Sequence, residues 1–124
     1  MLPKLYRQRY HALQQAIQQL QTALAGDRPA DSTLQPHYQT VQNLFQHQIL
    51  SLSLDQLAPD EQTRMQSYQT EINKQLRLLR MDVTFLQAAR QSATASQRQE
   101  QMNDRLSMLL RYCGAVLQLD EDQR

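Results

Sequence analysis

Tryptophan is absent from this chain, and glycine, proline and cysteine are scarce, at two, four and one residue. Each shortage excludes something. With so few residues that break helices or set tight turns, a turn-rich β architecture has little to be built from. A single cysteine, Cys113, cannot close an intrachain disulfide, and nothing at the amino terminus resembles a secretory signal, so the expected compartment is the cytoplasm. An excess of one charge sign is lacking too: the formal net charge is +1, which removes the global electrostatic argument for nucleic acid or an anionic membrane surface. No apolar run approaches the roughly 20 residues that cross a bilayer. The nearest is the broken ILSLSL at 49–54.

What is abundant is glutamine, about one residue in five, together with other helix formers. The 124 residues suit one domain spanning 1–124, of a size that buries about two-thirds of its unfolded surface. The expected fold class is all-α.

The stretch from Met65 to Gln91 organises the rest. At 100° per residue it carries an apolar stripe at Met65, Tyr68, Ile72, Leu76, Leu79, Val83 and Leu86, the spacing of a helix face packed into a core. Leu78, Met81, Phe85 and Ala88 fall roughly opposite, so this helix calls for a second partner beyond its own chain, another protein or another copy. Pro59, with Asp60 and Glu61 behind it, opens the same segment, and the sequence leaves undecided whether the helix is continuous from there.

Around it lie three more amphipathic segments. Helix one begins at Pro3 and carries Tyr6, Tyr10, Leu13, Ile17, Leu20 and Leu24, with Gly26, Asp27 and Pro29 as its stop. Helix two, capped by Ser32 with Gln35, reads Leu34, Tyr38, Val41, Phe45 and Leu52, flanked by Leu44 and Ile49 and interrupted by Gln48. Its regularity is expected to fail around Leu50 to Leu54, where Ser53 and Gln56 could cap a short turn. Ser92 to Ser96 reads as a polar connection, with Ser96 and Gln99 capping helix four. Met102, Leu106, Leu109, Cys113 and Val116 form its seam, and residues 119–124 end on acid, which predicts a frayed tail. Short connections between such helices predict an up-down antiparallel four-helix bundle with a long third helix.

No catalytic constellation is present. A carboxylate-bridged metal site needs Glu-x-x-His pairs, yet Lys74 follows Glu71 at the third position and Arg64 follows Glu61. His11, His37 and His47 lie on different helix faces. Cys113 sits on a core seam with no base nearby, as a small buried hydrophobe does. Glu71 and Asp82 share a face but lie about 16 Å apart along the axis, too far for an acid and base pair. The expectation is no enzyme, no metal and no cofactor. Lys74, Arg77 and Arg80 flank Leu78, Met81 and Phe85, an apolar centre with a basic rim, which is the composition of a protein interface.

The block QSYQTEINKQLRLLRMDVTFLQAARQ, residues 66–91, with the opening LPKLYRQRYHALQ and DRLSMLLRYC at 104–113, resembles the PatD family of cyanobacterial proteins that control heterocyst frequency. The resemblance implies a non-enzymatic cytoplasmic regulator of cell division and differentiation that contacts the tubulin-like division protein FtsZ. Two other readings remain open. One is a self-associating structural oligomer or an adaptor for another partner. The other is a nucleic-acid-binding module on the arginine-rich third and fourth helices, which the weak net charge and the lack of a turn-helix recognition pair disfavour.

Overall fold

The computed structural model describes residues 2–26, 34–89 and 91–122, with side chains as far as Leu119. The chain is all-helical. Helix α1 spans Lys4–Leu24, α2 Leu34–Leu44, a π-helical turn Phe45–Ile49, α3 Pro59–Ala88 and α4 Ser92–Asp122.

In α1 the expected seam is buried throughout, and Ala16 joins it. Pro3 stands just outside the helix, where its fixed φ and missing N–H cost nothing, and its carbonyl accepts from the N–H groups of Tyr6 and Arg7. Gly26 ends α1 without a left-handed cap, because no described residue has a positive φ. The last carbonyl of the helix is satisfied from elsewhere: Gln99 Nε2 on α4 donates to Leu24 O at 2.7 Å. The cap expected of Ser32 lies outside the described residues.

The break in helix two comes earlier than expected and has a definite cause. In unbroken α-helical register Gln48 would follow Phe45 onto the core face, leaving an amide among leucines. The π turn accommodates one extra residue, seen in the Leu50 N–H to Phe45 O bond at 2.9 Å, so Ile49 is fully buried and Gln48 is exposed. Leu52 and Leu57 then close the loop over the core.

Helix α3 is continuous from Pro59 for 30 residues, about 45 Å at roughly 1.5 Å per residue. At its start Glu61 Oε1 accepts from the Ala58 N–H at 3.1 Å, the glutamate half of a capping box. The polar stretch 92–96 is not a connection. Gln91 precedes the first helical residue, and its carbonyl accepts the Ala95 N–H, so α4 absorbs Ser92 to Ser96 as its opening turn. Gln99 is therefore not a cap partner for Ser96 but the clasp on α1. At the other end the α4 backbone stays helical to Asp122.

Helix α1 packs on α2 and α4, and α3 packs on the same two. Among the described residues α1 does not approach α3, nor α2 α4, within 8 Å between Cα atoms. The core between them holds Tyr10, Leu13, Ile17, Phe45, Met65, Ile72, Leu79, Leu106 and Cys113, all fully buried. Removing such a side chain from water contributes about 1.5–3 kcal/mol each. Tyr68 and Tyr112 pair across α3 and α4 with ring centroids 6.3 Å apart.

A candidate protein-contact face on α3

Leu76, Leu79, Val83 and Leu86 bury one side of α3. The opposite side stays in solvent. Met81 is 54% exposed and Phe85 50%, Leu78 is half-buried and Ala88 exposed. Lys74, Arg77 and Arg80 are exposed on the same half of the helix. All six sequence-derived interface residues thus lie on the α3 surface. Leu5 and Leu50 are also exposed, but on separate elements.

Asp82 is one of the few charged side chains that leave the solvent. Its side chain is buried between α3 and α4, where Arg98 Nη1 lies 3.2 Å from Oδ1 and Arg105 Nε binds Oδ2. A buried carboxylate requires such partners, since an unpaired one would pay its full desolvation cost. The guanidinium of Arg98 also lies 4.8 Å from the centroid of the Phe85 ring. One arginine therefore joins the buried ion pair to the exposed apolar strip. The sequence carried a trace of this: Arg98 and Arg105 lie seven residues apart, on one face of α4.

Elsewhere the polar atoms of the interior are few. Burial pushes the Cys113 thiol up to about 12, which leaves it protonated and inert at neutral pH. Burial likewise raises Tyr10, whose charged form the Cys113 thiolate would also disfavour, and Tyr38, whose hydroxyl donates to Leu76 O at 3.0 Å. Arg9 on α1 donates to Gln48 O at 3.0 Å and reaches Ser51 Oγ at 3.4 Å, tying the π turn down. Among the described residues no three His, Cys, Asp or Glu side chains converge as a metal site would require. No helix of the described residues is long and apolar enough to cross a membrane.

Fold and surface together define an all-α protein with an apolar strip bounded by cations on its third helix. Residues 37–110 match the CRR41 C-terminal domain, and the chain belongs to that family. The matched segment begins in α2 and ends in α4, so it contains the whole of α3, the strip, and the Asp82, Arg98 and Arg105 cluster. No curated protein and no solved structure matches the chain.

Proposed function

We propose that this chain is a non-enzymatic regulator that acts by binding another protein through the exposed face of α3. The observation that carries the reading is the half-exposure of Met81 and Phe85 beside Lys74, Arg77 and Arg80 on a helix whose other face is fully committed to the core. The scaffold in this reading is an up-down antiparallel four-helix bundle. The proximity of the α1 end to the α4 start, through Leu24 and Gln99, and of the α1 start to the α2 end, through Arg9 and Gln48, supports that arrangement. The particular partner comes from the resemblance to the PatD family: FtsZ, in the cytoplasm, in control of cell division and heterocyst frequency. Co-sedimentation with FtsZ polymers of the same organism, at two salt concentrations, tests it. Saturable, salt-sensitive binding is expected, and its absence would remove FtsZ as the partner.

A second reading, a homo-oligomer closed through the same strip, draws on the same exposed Met81 and Phe85. Light scattering decides it: a monomeric mass for both the wild type and Phe85→Glu would end it.

A further inference from the structure

We infer that the α3 strip takes an acidic amphipathic helix of a partner protein, in preference to a second copy of this chain. The inference rests on the protein-contact reading of α3 and adds the chemistry of the occupant. Lys74, Leu78, Met81, Phe85 and Ala88 are spaced four, three, four and three residues apart, the step of a seam that another helix can follow. From Lys74 to Ala88 the seam is about 21 Å long, which sets the occupant at roughly four helical turns.

Charge then selects the occupant. Arg77 and Arg80 stand on the α2 flank of the seam, and Lys74 heads it. On the α4 flank α3 carries two carboxylates. Glu71 lies a turn before the apolar residues and is half-buried. Asp82, beside Met81, could have balanced the rim, but it faces inward under two guanidiniums, Arg98 and Arg105. Arg98, with 32% of its side chain exposed, instead adds a cation over Phe85. Among the described residues no salt bridge to Lys74, Arg77 or Arg80 forms. A second copy docked strip to strip would bring these cations against one another, an arrangement that disfavours the pairing. Carboxylates flanking the seam of an acidic helix would meet them instead, and arginine forks donate bidentately to carboxylates.

The test uses two synthetic amphipathic helical peptides with the same leucine seam, one flanked by glutamates and the other by lysines, titrated against the full chain by fluorescence anisotropy. The acidic peptide is expected to bind and the basic one not. Arg77→Glu with Arg80→Glu should weaken the acidic peptide by about tenfold or more, as should Met81→Ser with Phe85→Ser, because one removes charge complementarity and the other the apolar centre. Arg64→Glu with Arg111→Glu, exposed cations away from the strip, should change it by less than about twofold. Equal binding of both peptides, or acidic-peptide binding that the strip variants leave intact, would overturn the inference. So would a wild-type dimer that Phe85→Glu dissociates. Unchanged circular dichroism and melting establish that each variant is folded. Loss of FtsZ binding alone leaves the peptide result standing, so the two readings fail separately.

Discussion

Arg9 on α1 donates from Nη1 to the backbone carbonyl of Gln48, across 3.0 Å and 39 positions of sequence. That carbonyl belongs to the π turn, where hydrogen bonding is irregular and an outside donor is most useful. Arg9→Met keeps the aliphatic stem and removes the donor. It is expected to lower stability by about 1 kcal/mol, read as a reduced urea midpoint. Deleting Gln48 outright should return the segment to α-helical register with Ile49 still on the core face. A deletion variant that fails to fold would contradict this account of the turn.

Asp82 gives a larger effect. Asp82→Ala leaves Arg98 and Arg105 without their shared carboxylate, but both are partly exposed and can turn towards water. The expected loss is therefore about 2 kcal/mol, below the usual cost of stranding a fully buried charge. Urea denaturation measures it, and a loss below about 0.5 kcal/mol would mean that the pair is dispensable.

Gly114 lies inside α4, and a Cβ built there meets no atom within 4 Å. Gly114→Ala gains helix propensity and reduces the freedom of the unfolded chain, with no packing conflict. It should stabilise the protein by about 0.5–1 kcal/mol, visible as a raised melting temperature.

Cys113 and the buried tyrosines make stability pH-dependent on the alkaline side. The folded thiol is raised from 9.0 to about 12, so its contribution is fully present below pH 9 and is lost as pH rises towards 12. Tyr10 and Tyr38, raised from 10.0, act in the same direction at the upper end of that window. Denaturation series should show a falling midpoint above pH 9. At pH 8 the native thiol should react with iodoacetamide far more slowly than in the unfolded chain, since it is buried and held protonated and only an accessible thiolate attacks.

The parts of the fold legible in the sequence were those set by one helix alone. The seams of α1 and α4 and the two faces of α3 follow from apolar spacing, and Tyr10, Leu109 and Phe85 lie where that spacing puts them. What escaped was set between helices. Gln48 against Ile49 is a contest for one core position, decided by extending a turn rather than by periodicity. Asp82 turns inward only because Arg98 and Arg105 meet it from α4, 16 and 23 residues on. Gln99 looked like a capping partner for Ser96, but the free carbonyl it serves belongs to Leu24, 75 positions earlier. Of the candidate site, the apolar strip and its rim were readable, and the sequestered acid that leaves the rim uncompensated was not.

The pairing of α1 with α4 also governs the order in which the protein can be completed during synthesis. One of the main neighbours of α1 is α4, a helix synthesised well after it, which it meets through Gln21 with Asn103 and Gln99 with Leu24. Until α4 is made, the α1 seam of Leu13, Ile17 and Leu20 has only α2 and the π turn to pack against. The nascent chain therefore carries exposed apolar surface until α4 has been made, and closure of the α1–α4 seam is a long-range event of the kind that leaves a growing polypeptide open to aggregation.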